Sequence, residues 1–426
     1  MGNPRSIDVS SVGQLGVGFP PEWESAKLGD IARVRYGKAK PDSTGKIPVI
    51  GSGGIYSNTQ TALVDFPTVV IGRKGTAGEV WLADTPCWPS DTTFYLEWKK
   101  EANPYFIFNF LRLNKPSGEH AKTTLPSLQR ADLEQMVIPQ PSEGEQRRIG
   151  RVLLTIQRAI EAQEKVIAAA RELKRSLMRH LFTYGPVSLT ETARVALKET
   201  ESGPVPEHWD LMSLQECAFV QTGVAKGRGL GLNSRKLSVP YLRVANVQSG
   251  YLDLSEIKRI EIREDELARY SLQSGDVLLT EGGDFDKLGR GFIWGGQIQP
   301  CVHQNHIFAV RANREKLASE YFAYLVQSPY GRAYFLKVAH RTTHLACINT
   351  AKLKAFPIPV PPRSEQYEVA SQLKALDKKV ESDEKRKAAL QALFKTMLHH
   401  LMTGKIRVAK TSTNDLPAPR LRQAGK

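Results

Sequence analysis

The stretch from Glu143 to Tyr184 constrains this chain more than any other. It holds no proline and only two glycines, Gly144 and Gly150, both near its start, and most of its residues are good helix formers. Apolar side chains recur in alternating steps of four and three: Ile149, Leu153, Ile156, Ile160, Ile167, Ala170, Leu177 and Leu181, with Gln163 and Lys174 in the two remaining slots. A period of 3.5 is that of a coiled-coil seam. About 40 helical residues span roughly 60 Å, too long for an element inside a compact domain, so the stretch reads as a spacer.

The stretch recurs. A shift of 220 lays it on Arg363 to Gly404, where the seam becomes Val369, Leu373, Leu376, Val380, Leu390, Phe394, Met397 and Leu401, with Asp383 and Lys387 in the polar slots. The approaches repeat as well. Ile138-Pro139-Gln140-Pro141 matches Ile358-Pro359-Val360-Pro361, and Glu145-Gln146 matches Glu365-Gln366. Pro21-Glu22-Trp23 resembles Pro206-Glu207-His208-Trp209. The chain is therefore two copies of one unit, a globular segment followed by a long helix. Repeats this long are a duplication, not a solenoid.

Each half of the 426 residues is long enough to bury its own core. No apolar run approaches the length of a membrane span, and the first residues lack the apolar core of a secretion signal. Met1-Gly2 with Ser6 fits the short myristoylation pattern as a chance match would. Cys87, Cys217, Cys301 and Cys347 lie far apart with no zinc spacing, and read as isolated buried thiols in a reducing cytoplasm. A net charge of +15 points to a polyanionic partner, though a basic soluble protein would also carry it.

The first globular segment alternates short β-rich runs with glycine clusters: Ile47–Ile50, Thr68–Ile71, Glu79–Leu82 and Thr93–Leu96. Asn103-Pro104 then opens a helix to Leu113. The second segment offers strands at Tyr241–Val244, Asp276–Leu279, Gly291–Trp294 and Ile307–Val310, then a helix Glu320–Val326 capped by Ser319. The frames match, but the loops differ almost completely, as expected for one task performed on two targets.

Several loops carry candidate chemistry. Gly72-Arg73-Lys74-Gly75-Thr76-Ala77-Gly78 and Gly227-Arg228-Gly229-Leu230-Gly231 are not phosphate-loop motifs. Arg73 and Lys74 on a turn suit phosphate or guanine edges, with a solvated turn as the plain alternative. The loop Thr280 to Gly291 packs Glu281, Asp284, Lys287 and Arg290 among glycines; acids suit cytosine N4, bases suit guanine or phosphate, and a metal site is the enzymatic alternative. His303-Gln304-Asn305-His306 offers base-reading side chains or an internal polar network. Asn103-Pro104-Tyr105-Phe106 mimics an adenine methyltransferase motif but lacks its second proline. It aligns with Ser319-Glu320-Tyr321-Phe322, a helix start. No P-loop, nuclease carboxylate set, metal site or catalytic residue is assigned.

In order and in duplicate, these features resemble the DNA-specificity subunit of a type I restriction–modification system. The likeness covers nearly the whole chain. It includes the Pro-Glu-Trp starts, the Pro-x-Pro exits with Glu145-Gln146 and Glu365-Gln366, and the long helices. It also includes Gly51-Ser52-Gly53-Gly54, Ile71-Gly72-Arg73-Lys74-Gly75, Asp91-Thr92-Thr93-Phe94, Leu242-Arg243-Val244-Ala245-Asn246-Val247 and Gly275-Asp276-Val277-Leu278. The resemblance implies an α+β fold: two mixed α/β target-recognition domains separated by two long antiparallel helices forming a coiled coil, an internal duplication with pseudo-twofold symmetry. The expected divisions are 18–142 and 203–362 for the recognition domains, 143–184 and 363–404 for the spacer helices, 185–202 for a linker, and 405–426 for a disordered basic tail. It further implies a cytoplasmic, non-catalytic subunit that reads a bipartite double-stranded DNA target. Two modification subunits and restriction subunits would dock on it, bringing S-adenosylmethionine, ATP and Mg, with no cofactor on this chain. A stand-alone DNA-modifying or DNA-cleaving enzyme and a coiled-coil scaffold are the competing readings.

Candidate DNA contacts in the variable segments are Arg73, Lys74, Thr76, Ser90, Thr92 and Lys122 in the first. In the second they are Lys226, Arg228, Arg243, Asn246, Glu281, Asp284, Lys287, Arg290, His303, Gln304, Asn305, His306 and His344. If the seams pair antiparallel, partner numbers sum to 550: Ile149 with Leu401, Ile160 with Leu390, Leu181 with Val369. Gln163, Asp383 and Lys387 then gather as a register-setting cluster.

Overall fold

The computed structural model describes residues 19–99, 101–118, 127–227, 229, 235–283, 288–341 and 346–408. It divides into two compact units, Met1–Lys165 with Glu384–Lys426, and Val166–Asp383, so the division falls inside both long helices. Those helices run Glu143–Tyr184 and Arg363–Met402, the second ending two residues before the expected boundary. Among the described residues no helix is long and apolar enough to cross a membrane.

In the first unit Glu24–Lys27 pairs antiparallel with Val137–Gln140, so the globular segment closes on itself just before the helix begins. An antiparallel sheet follows in the order Ala32–Tyr36, Thr93–Trp98, Thr68–Gly72, Val80–Ala83. A smaller sheet has the order Gly54–Thr59, Ile47–Gly51, Trp88–Pro89, the last pair parallel. The central strand Thr68–Gly72 is buried throughout because both of its faces meet apolar layers. Val69 and Ile71 enter the core shared with Phe94, Phe106 and the long helices, while Val70 enters a second core with Ile50, Val64 and Cys87. Period-two alternation thus serves two cores from one strand. Asn103 Oδ1 accepts from Phe106 N at 3.1 Å and caps the helix Pro104–Leu113, as the sequence predicts.

The second unit repeats this plan. Asp210–Ser213 pairs with Pro357–Val360. The larger sheet runs Ala218–Thr222, Ile307–Ala312, Val277–Thr280, Gly291–Ile293, and the smaller one Lys258–Arg263, Lys236–Leu242, Val302–His303, again with its last pair parallel. Val277 and Leu279 face the main core and Leu278 the second one. The equivalent glycines Gly37 and Gly223 explain one constraint: a Cβ there would sit 2.0 Å from Ser90 O and from His303 O respectively. Only glycine lets the two sheets' backbones cross so closely.

The helices pair antiparallel within each unit. Ile149, Leu153 and Ile160 share a core with Phe394 and Leu401, and Leu181 shares one with Val369 and Leu373. Ion pairs fix the register: Glu164 with Lys387 at 3.1 Å in the first unit, and Lys174 with Asp377 in the second. Both pairs have numbers adding to 551, one from the expected value. The remaining seam residues Ile156, Ile167, Leu177, Leu376, Val380, Leu390 and Met397 are buried or half-buried.

Several expectations are revised. Lys387 binds Glu164 on the facing helix at 3.1 Å, and Asp383 takes Lys379 at 2.9 Å, partners that the expected cluster did not include. The predicted strand Tyr241–Val244 lies earlier, at Lys236–Leu242, because Val244–Asn246 turns as a 3-10 helix braced by Asn246. Ser319 is the first helical residue, not the cap; the cap residue is Ala318, whose N donates to the Gln366 side chain of the second long helix at 2.8 Å. The segment 185–202 is not a plain linker: Thr192–Arg194 is helical and Leu197–Lys198 pairs with Val205–Pro206. The tail is anchored at its start, where Arg407 binds Glu145; residues 409–426 lie outside the described ones. Cys87, Cys217 and Cys301 are buried as expected, whereas Cys347 is exposed.

Candidate nucleic-acid interface

The motifs that open and close each globular segment meet in space. Trp23 Nε1 donates to Glu145 Oε2 at 3.3 Å, and Trp209 Nε1 to Glu365 Oε2 at 2.8 Å. Gln146 donates to Pro141 O at 3.0 Å, and Gln366 to Pro361 O at 2.9 Å. Each long helix is thereby tied at its first turn to both ends of the domain it follows. The carboxylate of Glu145 is buried, and charge-assisted bonds of this kind contribute about 1.5–3 kcal/mol each. Rigid placement of a loop-bearing domain on a helix is what a precise contact surface needs.

The loops in question gather at one end of each larger sheet, where the central strand stops. In the first unit this end brings together Arg73, Lys74, Thr76, Ser90 and Thr92. Ser90 Oγ and Thr92 Oγ1 lie 2.8 Å apart, and Thr92 Oγ1 accepts from Ser52 N at 3.3 Å. Arg73 Nη2 donates to Asp91 O at 2.7 Å, and its guanidinium lies 5.3 Å from the Tyr36 ring centroid and 5.9 Å from that of Phe94. Arg73 is consequently half-buried and held in place, while Lys74 and Thr76 are exposed. Ser90 is buried and serves the turn, not the surface.

In the second unit the same end carries Glu281, Gln304, Asn305 and His306. His306 Nδ1 lies 2.6 Å from Glu281 Oε2. Gln304 Oε1 accepts from Val244 N at 3.3 Å, and Arg290 Nη1 donates to Gln248 Oε1 at 3.2 Å. Lys226 is exposed beyond the bridge between Val224 and Gln304. Two candidates prove to be buried, Asn246 and His303, and a third, Arg243, is tied by a surface ion pair. Asn246 is buried and donates to Asp253 O and Glu256 O while accepting from Arg243 N, so all its polar atoms brace the loop. Arg243 pairs with Glu256 at 3.1 Å. His303 is fully buried, its ring nitrogens have no hydrogen-bond partner among the described residues, and burial lowers its pKa to about 4, keeping it neutral. Lys122, Arg228, Asp284, Lys287 and His344 lie outside the described residues.

Sequence reasoning missed Tyr36, half-exposed at 50% and stacked on Arg73. A signal was present: Gly37-Lys38-Ala39-Lys40 and Gly223-Val224-Ala225-Lys226 form a weak repeat just after the first sheet strand of each unit.

The family model of the type I restriction modification DNA specificity domain matches residues 20–170 and 206–392. The chain is 26% identical over 425 residues to the type I restriction enzyme MjaVIII specificity subunit of Methanocaldococcus jannaschii, covering 92% of this chain and 95% of that protein. It is 24% identical to the EcoKI specificity subunit of Escherichia coli, over 65% of this chain and 57% of that one. In fold it resembles the S subunit of a type I restriction–modification system from M. genitalium, with a TM-score of 0.58 at 16% identity, covering 94% of this chain and 99% of that one. A chain from a structural study of complex assembly in the type I R-M system gives 0.52 at 15% identity, over 91% and 99%.

Proposed function

This chain belongs to the type I restriction modification DNA specificity domain family, and we propose that it reads a bipartite DNA target through its two globular segments. The observation that carries this reading is the duplicated scaffold: the same sheet ends, in the same order, present different polar side chains. Each end is one reading head, and each head takes one half of the target. The +15 net charge supplies the attraction to phosphate that brings either head onto the duplex.

The subunit itself is non-catalytic in this reading. Two modification subunits bring S-adenosylmethionine and methylate the target; restriction subunits bring ATP and Mg and cleave DNA; the assembly is cytoplasmic. Two surfaces support docking. Leu173 and Leu393, equivalent under the 220-residue shift, are exposed at 57% and 43%, one apolar side chain at the same place on each long helix for a partner to cover. In the first unit a groove of about 580 Å³ between Val80–Ala83, Pro104–Leu113 and the long helix is lined by Trp81, Tyr105, Phe108, Arg112, Arg151 and Arg158. Aromatics and arginines are the residue types enriched in protein interfaces. The long helices set the gap between the half-sites.

Methylation mapping tests the reading. The chain with its modification subunit is expected to methylate one split target in a DNA library, and the chain alone, given S-adenosylmethionine and magnesium, neither methylates nor cleaves. Activity of the chain alone would make it a stand-alone enzyme instead.

A further inference from the structure

The two reading heads can be overlaid by backbone pairing alone. In the first unit Ile71 pairs with Phe94 and Val80, and Tyr36 with Phe94; in the second Leu279 pairs with Phe308 and Gly291, and Thr222 with Phe308. Two residues beyond this point the chain leaves the central strand at Arg73 in one unit and Glu281 in the other. Both are clamped alike. Arg73 N donates to Thr92 O at 2.8 Å and Glu281 N to His306 O at 2.9 Å; Leu128 N donates to Arg73 O at 2.9 Å and Ile348 N to Glu281 O at 2.8 Å. The following residues match as well, Lys74 bridging Ser127 and Gly282 pairing with Cys347. The backbone at this position is therefore fixed from two sides, and the side chain is what differs.

It differs in hydrogen-bonding sense. A guanidinium only donates and a carboxylate only accepts. Arg73 lies against the Tyr36 and Phe94 rings, which touch each other, with its Nη2 on Asp91 O. Glu281 has Thr222 in place of that tyrosine, holds His306 through Oε2, and leaves Oε1 without a partner among the described residues. A carboxylate at a DNA surface is repelled by phosphate, so its favourable partner is a base amino group. Cytosine N4 and adenine N6 provide one in the major groove, whereas guanine presents the acceptors N7 and O6.

We propose that Arg73 and Glu281 occupy one equivalent specificity-determining position, at which the first domain reads a guanine acceptor edge and the second an amino group of cytosine or adenine. His306 is a positioning residue for the Glu281 carboxylate. The proposal rests on the chain being a DNA-reading subunit.

The experiment maps base preference at every position of both half-sites, using the complex with its modification subunit and a randomised DNA library. Glu281→Gln, which keeps the shape but adds donors, is expected to change preference at one position of one half-site by roughly tenfold to hundredfold, leaving the other half-site unchanged. Glu281→Asp, which withdraws the charge by one methylene, weakens the same position. Arg73→Lys, which loses the planar two-donor fork, relaxes a guanine preference at one position of the other half-site. Unchanged preferences, or a uniform fall at all positions, overturn the proposal while the bipartite reading stands. A wild-type complex with no bipartite preference overturns the reading itself, and this proposal with it.

Discussion

Acidification should destabilise the second unit through a single side chain, His303. It is fully buried, and burial lowers its pKa from 6.5 to about 4. The charged groups nearest in effect, Asp276 and Arg311, are paired with each other at 2.8 Å, so their fields on the ring oppose. Between pH 6.5 and 4 the unfolded chain binds a proton at this residue that the folded chain refuses, so stability rises with pH across that window. The contribution is complete above pH 6.5 and is lost as pH falls toward 4. Each pKa unit is worth about 1.4 kcal/mol, so the loss is about 2 kcal/mol at pH 5 and about 3 kcal/mol below pH 4. His303→Leu removes the titrating group and two buried nitrogens that lack partners among the described residues, so at pH 7.5 it is expected to be neutral or stabilising. The assay is urea unfolding of wild type and variant at pH 7.5 and 5.0, followed by tryptophan fluorescence; the buried Trp209 and Trp294 report on this unit. The difference between the two proteins should shift by about 2 kcal/mol in the variant's favour at the lower pH. A difference that stays constant within about 0.3 kcal/mol refutes the reasoning, because the ring would then titrate equally in both states.

Binding should weaken steeply with salt, log Kobs falling linearly with log salt; Lys74→Ala should lower that slope by about one unit without altering base preference, which a titration from 50 to 200 mM salt would show. Exchanging residues 24–140 for the equivalent segment of a relative is expected to change one half-site only, since Glu24–Lys27 and Val137–Gln140 close the cassette on itself; methylation maps in which both half-sites change would contradict it. Inserting one heptad after Glu164 and another after Glu384 keeps both seams in phase and adds about 10 Å of helix, roughly three base pairs. The half-sites should persist with a longer gap, and an active complex that keeps the original gap would show that the helices do not set it.

The sequence by itself determined the duplication and both long helices, because a 3.5-residue period is written locally and needs no distant partner to be read; their antiparallel pairing came from the family resemblance, and the register supposed on that basis stands one residue from the observed ion pairs. It also held the Trp23–Glu145 and Trp209–Glu365 contacts in the form of repeated motifs, without showing that the motifs touch. What it could not decide was which polar residues face outward. Asn246, Ser90 and His303 have base-reading chemistry but are buried by strands and loops far away in sequence. Tyr36 looks like an ordinary strand residue until Arg73 stacks on it. The equivalence of Arg73 and Glu281 lies deepest, since the loops around them share no sequence, and only backbone pairing between remote strands sets them at the same point of the fold. Side-chain periodicity is a property of neighbours along the chain; which loop closes over which is settled only when the sheet is assembled.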